Sequence, residues 1–410
     1  MKVLWVKSGG LVPLDTGGKI RSFNLLKELG KKHDVTLFTF YGAHANDRHS
    51  DLKQYFSRVI HLPVALPAQR GVGEALKYAR NFLTLRPYSL SKYALPEVAL
   101  ALRKLLMEER YDLLICDFLF SAPIVPWDIP LPKVLFTHNV EMQIWKRHYE
   151  VARNPIWKVV AWREYRTMER AEREYLEKAD HVLTVSENDR QLFGVFLPIE
   201  NISVIPTGVD IDYFHPSSSP AESNRLVFTG SMDWMPNEDA IQYFAKDIFP
   251  LIRKEVPEAS LWVVGRHPSE RTQALETENS GVFITGTVED IRPFSWDASV
   301  YVVPLRVGGG TRIKIFEAMA MGKAIVSTPV GAEGLPVEHN KNILLEESAE
   351  GFARQVIRLL REPGERARLG REARKLVEED YSWGAVAGTF DAVFEKISMG
   401  CPVTGAAVRR

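Results

Sequence analysis

Cysteine is nearly absent: Cys116 and Cys401 are the only two in 410 residues. So low a count excludes a disulfide framework and points to a reducing compartment. Net charge is lacking as well, since 52 Lys/Arg balance 52 Asp/Glu, which argues against a general nucleic-acid binder. No apolar run approaches the roughly 20 residues that cross a bilayer. No His/Cys cluster has the spacing of a metal site. The opening MKVLWVKSGG has no long apolar stretch of an export signal and reads as a strand. The expected location is therefore the cytoplasm, with the inner face of the cell membrane as an extension of it.

What is present is the composition of a globular protein, 45% hydrophobic and 25% charged, at a length that suits two domains. The charge is unevenly placed. Residues 1–200 carry 29 Lys/Arg against 23 Asp/Glu, and the remainder carries the reverse, so the first half is the one expected to meet something anionic. Short β-branched runs alternate with helical segments in both halves. Strands are expected at 2–8, 34–40, 112–117, 133–138 and 181–186, then at 225–230, 260–265, 282–286, 299–304 and 324–328. Helices fit 18–31, 96–110, 144–179, 237–255, 311–321, 349–361, 364–378 and 384–398. The stretch VIPTGVDIDYFHPSSSP (204–220) has linker chemistry. The fold class is α/β: two doubly wound, Rossmann-like parallel-sheet domains, 1–205 joined by a C-terminal helix 384–400, and 206–383. Ligands in such sheets bind at the C-terminal ends of the strands.

The most informative block is PLRVGGGTRIKIFEAMAMG (304–322). A buried strand runs into Gly308, Gly309 and Gly310, which allow a tight turn and close approach of backbone to ligand. A helix starting at Thr311 aims its amides and positive dipole end at that ligand. Arg312 and Lys314 add charge; two residues apart on a helix, they lie on different faces, so one of them faces the phosphates. Glu317 follows among apolar neighbours as an acceptor for two ribose hydroxyls. The pattern is that of a nucleotide site. In the first half, Gly17 and Gly18 open a helix whose amides face phosphates or acceptor, and His138 ends a strand in FTHN. Asp210 and Asp212 form an Asp-x-Asp inside the linker, where a structural role is expected in preference to a metal. Trp145, Trp157 and Trp162 among many Arg and Lys in 144–179 give a basic amphipathic segment suited to peripheral contact with an anionic membrane.

TGGKIRSFNLLKEL (16–29), FTHN (136–139), LTVSE (183–187), VIPTGVDIDYFHP (204–216), LVFTGSM (226–232), LWVVG (261–265), ITGTVEDI (284–291) and the block ending STPVGAEGL together resemble the GT-B-fold glycosyltransferases of family 4. The GGGTRIK variant and the opening WVKSGGLVPLDTGGKIR resemble a bacterial subgroup linked to exopolysaccharide assembly. The resemblance implies a retaining, metal-independent hexosyltransferase without cofactor. It would take a UDP-sugar or GDP-mannose as donor and a hydroxyl of a glycan, a glycolipid (a lipid-linked acceptor) or a small molecule. It also implies that His138 contacts the donor sugar and that the last helix crosses back onto the N-terminal domain.

Two departures stand out. The family's first glutamate, eight positions before Glu317, is Gly309 here. GSMDWMPNEDA (230–240), after the first strand of the second domain, lacks the Arg and Lys that many members place there for the diphosphate. Arg312 and Lys314, with help from Arg266, are expected to supply that charge beside Gly230. Backbone near Val288 serves the base. Alternatives are a nucleotide-sugar epimerase of the same fold and a non-enzymatic two-domain sugar-binding protein.

Overall fold

The computed structural model of the chain describes residues 1–14, 16–41, 51–64, 72–82, 84–152, 154–218, 223–307 and 313–398. It divides into two compact units, Met1–Pro206 with the chain from Ala387 onward, and Thr207–Val386.

The first unit holds a seven-stranded sheet in the order β3-β2-β1-β4-β5-β6-β7. Its strands are β1 Lys2–Ser8, β2 Asp34–Tyr41, β3 Arg58–Pro63, β4 Leu113–Asp117, β5 Lys133–Phe136, β6 His181–Thr184 and β7 Ile202–Val204, all paired in parallel. Segments such as LLICD and KVLF are buried along their whole length, as expected of strands covered on both faces. The chain leaves β1 for β2 on one side and reaches β4 on the other, so the switch point lies between β1 and β4. The second unit repeats the plan with six strands in the order β10-β9-β8-β11-β12-β13. These are β8 Arg225–Thr229, β9 Ser260–Val264, β10 Val282–Gly286, β11 Val300–Val303, β12 Ala324–Ser327 and β13 Leu344–Leu345, again parallel. Its switch point lies between β8 and β11.

Three strands were not expected from sequence: β3, β7 and β13. All are edge strands, short or half-exposed, so they carry little apolar pattern. Two long helices are also broken. The expected helix 144–179 is two, Glu141–Val151 and Pro155–Lys178. Asn154 caps the second by accepting from the amides of Ile156 and Trp157, and Pro155 takes the first helical position, where a missing N–H costs nothing. The expected helix 237–255 is Met235–Tyr243, a π turn Phe244–Ile248, and Phe249–Glu255.

The last helix, Trp383–Ser398, supplies core to the first unit. Phe390 packs against Trp5 and Phe136, with ring centroids 5.8 and 5.7 Å apart, and Phe394 packs edge-on to His33. Asp391 ties this helix to the turn before β2 by accepting from Lys32 Nζ at 2.6 Å and His33 Nε2 at 2.9 Å. Among the described residues no helix is long and apolar enough to cross a membrane.

Candidate functional site

Each unit gathers polar side chains at its switch point. In the first, the ends of β1, β4 and β5 bring together Lys7, Asp117 and His138. Asp117 is fully buried and accepts from Lys7 Nζ at 3.0 Å, Trp5 Nε1 at 2.9 Å and His138 Nε2 at 2.7 Å. Burial alone would raise its pKa, but the Lys7 ammonium and His138 outweigh that and hold the carboxyl below the usual carboxylate range. The other imidazole nitrogen, Nδ1, lies 2.9 Å from Arg21 Nη1. A guanidinium has no acceptor, so Nδ1 accepts and Nε2 carries the proton given to Asp117. Burial pushes His138 down to about 4, so the ring is neutral across the physiological range.

Phe118 stacks on that ring, with centroids 4.1 Å apart, and Phe136 closes the other side at 4.4 Å. The helix Gly17–Leu29 begins at this cluster without a side-chain cap. A Cβ on Gly18 would lie 2.7 Å from the Phe118 ring and 3.7 Å from His138 Nδ1, so glycine is what lets the helix start this close. The structure thus places His138 at the end of its strand with both ring nitrogens engaged. For a sugar hydroxyl to reach Nδ1, Arg21 must yield it.

In the second unit, Gly230 directly follows β8 and Lys314 stands in the first turn of the helix Ile313–Ala320. Lys314 Nζ donates to Asn237 Oδ1 at 2.7 Å and lies 4.1 Å from the centroid of the Phe228 ring. Arg266, in the turn after β9, donates from Nε to Ser231 Oγ at 2.9 Å. The two turns run in contact: a Cβ on Gly265 would fall 1.8 Å from the Gly230 carbonyl oxygen.

Glu317 stands one turn beyond Lys314, half-buried, and desolvation pushes its carboxyl up to about 7 against the opposing pull of Lys314. Tyr301 on β11 and Thr229 on β8 hydrogen-bond across the switch point; burial raises the Tyr301 phenol, and the Glu317 charge adds to that rise. Val288 follows β10 at the sheet edge, two strands from β8. Gly308, Gly309, Gly310, Thr311 and Arg312 lie outside the described residues. Asp210 accepts from the amides of Asp212 and Tyr213, a turn-forming use of its carboxylate. Among the described residues no group of three or more His, Cys, Asp or Glu could hold a metal ion.

The expected site residues therefore fall into two sets. Gly17, Gly18 and His138 belong to the first unit; Gly230, Arg266, Lys314 and Glu317 cluster in the second. Sequence reasoning missed their partners, the buried Lys7, Arg21, Asp117 and Asn237 and the half-buried Ser231. Asp117 left a signal, an acid closing a wholly apolar strand.

Two family models match the chain: Glycosyltransferase Family 4 over residues 16–213 and Glycosyl transferases group 1 over residues 223–362. The chain is a GT-B glycosyltransferase. An uncharacterized 44.6 kDa protein in the cps region of Klebsiella pneumoniae is 21% identical over 408 residues, covering 96% of this enzyme and 99% of that protein. The fold is that of sucrose-phosphate synthase from Thermosynechococcus elongatus (TM-score 0.68, 19% identity, 98% of this enzyme and 100% of that chain). It is also that of Anabaena HepE solved with UDP and glucose (TM-score 0.67, 14% identity, 97% and 100%). A non-enzymatic sugar-binding role gives way to sugar transfer.

Proposed function

We propose that the enzyme moves a hexose from a UDP-sugar to a hydroxyl of a glycan or lipid-linked acceptor in exopolysaccharide assembly, with retention and without a metal. The observation that carries this reading is the Lys314–Asn237–Gly230 cluster at the second unit's switch point, a preset cation at the end of a parallel sheet. UDP is favoured over GDP because HepE, of the same fold, was solved with UDP. The relative in a cps region supports the polysaccharide setting.

In the proposed reaction the bond between the anomeric carbon and the β-phosphate oxygen breaks, and the acceptor oxygen attacks from the same face. The departing phosphate takes the acceptor's proton. Lys314 and Arg266 offset the charge that develops on that phosphate, the kind of preorganised electrostatic aid that dominates such steps. Glu317 holds the ribose; in the first unit, His138 can offer Nδ1 to a sugar hydroxyl once Arg21 releases it.

A thermal-shift panel of UDP, GDP and ADP tests the donor, because a ligand bound only by the native state raises its melting point. UDP is expected to stabilise the enzyme most. Stabilisation by GDP alone would reassign the donor to GDP-mannose, and a shift from none would remove the nucleotide site.

Glu317 gives a pH prediction. An ionised carboxylate accepts from both ribose hydroxyls, and a protonated one loses an acceptor. With the carboxyl at about 7, uridine affinity should fall about tenfold between pH 8 and pH 6. The nucleoside is used so that phosphate ionisation does not enter. Glu317→Gln should bind more weakly and show a flat profile; a sloping profile in that variant would contradict the assignment.

The acceptor is proposed to lie at an anionic membrane. On the helix Pro155–Lys178, Ile156, Trp157, Val159 and Trp162 are exposed, beside the exposed Lys158 and Arg170. Arg163, on the buried side of the same helix, binds the carbonyls of Asn81, Thr84 and Arg86, in a segment that also exposes Phe82 and Leu85. Vesicles containing phosphatidylglycerol should sediment the enzyme in low salt, and Trp157→Ala with Trp162→Ala should abolish this. Equal sedimentation of the double variant would contradict it.

A further inference from the structure

We infer that Asn237 is a positioning residue for the diphosphate: it presets the Lys314 ammonium over the Gly230–Ser231 turn without neutralising it. This rests on the reading of the second unit's switch point as the nucleotide site. The clamp would replace, in this chain, the cations that the family resemblance puts directly after β8.

Asn237 lies in the first turn of the helix Met235–Tyr243 and is 3% exposed. Its Nδ2 donates to the Ser231 carbonyl at 2.8 Å, which fixes the amide so that Oδ1 faces Lys314 Nζ at 2.7 Å. A Cβ on Gly230 would lie 2.7 Å from both Asn237 Nδ2 and Lys314 Nζ. Gly230, at φ +153°, is therefore the residue that lets amide and ammonium meet above the turn. The Phe228 ring lies 4.1 Å from the ammonium, a cation–π contact.

The same turn carries the second arm, because Ser231 Oγ accepts from Arg266 Nε at 2.9 Å and the Met232 amide donates to the Arg266 carbonyl at 2.9 Å. Both cations are thus referenced to one loop at the end of β8. A lysine left to find its place would lose rotamer freedom on binding; a preset one has already lost it. The chemistry of the partner matters equally. A neutral amide oxygen holds the ammonium without adding a counter-charge at this point of the turn, whereas a carboxylate at position 237 would add one.

The test compares UDP with uridine, by calorimetry on the full chain, in the unaltered enzyme, Asn237→Ala, Asn237→Asp, and Asn237→Asp combined with Lys314→Ala. The unaltered enzyme should prefer UDP. Both single variants should lower the UDP-to-uridine affinity ratio at least tenfold while uridine binding stays within about twofold, a split that a merely structural role would not produce. In the Lys314→Ala background, Asn237→Asp should change the ratio no further. A ratio that survives both single substitutions overturns the inference alone, as does a parallel fall of UDP and uridine, or a full further fall in the double variant. No preference for UDP in the unaltered enzyme overturns the nucleotide-site reading, and the inference with it.

Discussion

Lys314→Ala is expected to lower turnover by about 10²–10³-fold, the size seen when one preorganised group is removed from developing charge. The side chain is held at the second unit's switch point by Asn237 and the Phe228 ring, so its charge is already in place when the sugar–phosphate bond stretches. UDP carries much of that charge in the ground state, so binding should weaken too, by the roughly 1.5–3 kcal/mol of a hydrogen bond to a charged group. Initial rates with saturating donor separate the two effects. Turnover within about threefold of the unaltered enzyme would show that Lys314 does not face the leaving group.

Asp117→Ala is expected to cost about 3–5 kcal/mol of stability, the penalty for breaking a buried ion pair. The substitution strips the carboxylate from Lys7, which is 3% exposed, and removes the acceptor used by Trp5 and His138. The sign with pH follows from the shift. Because the folded-state carboxyl is held below its ordinary range, its contribution is fully present above the unfolded pKa of roughly 4 and is lost only as pH falls through the folded value. Urea unfolding at pH 7 should therefore record the whole penalty, and Asp117→Asn a smaller one. A midpoint change worth less than about 1 kcal/mol would contradict the ion-pair account.

How legible all this is in the sequence depends on the kind of force involved. Central strands such as Leu113–Asp117 and Val300–Val303 are buried on both faces, and short, nearly continuous apolar runs announce them. Edge strand β3 has no fully buried residue and β13 is only two residues long, so both are silent in the pattern. The break at Asn154–Pro155 is a local signal that a long charged helix obscures. Glycine at 230 was legible as a turn, but its reason is a pair of side chains 7 and 84 positions further on. Asn237 looks like any polar residue of a surface helix, because what makes it matter is a lysine 77 residues away. His138 was readable by its place at a strand end. Its tautomer was not, because Arg21 and Asp117 reach it from other elements.

The most direct measurement is a crystal structure of the enzyme with UDP. The diphosphate is expected at the C-terminal ends of β8 and β11, with an oxygen within hydrogen-bond distance of Lys314 Nζ and Arg266 close by, and the ribose hydroxyls on Glu317. UDP bound elsewhere, with Lys314 still held on Asn237 Oδ1 and no diphosphate oxygen near its Nζ, would contradict it.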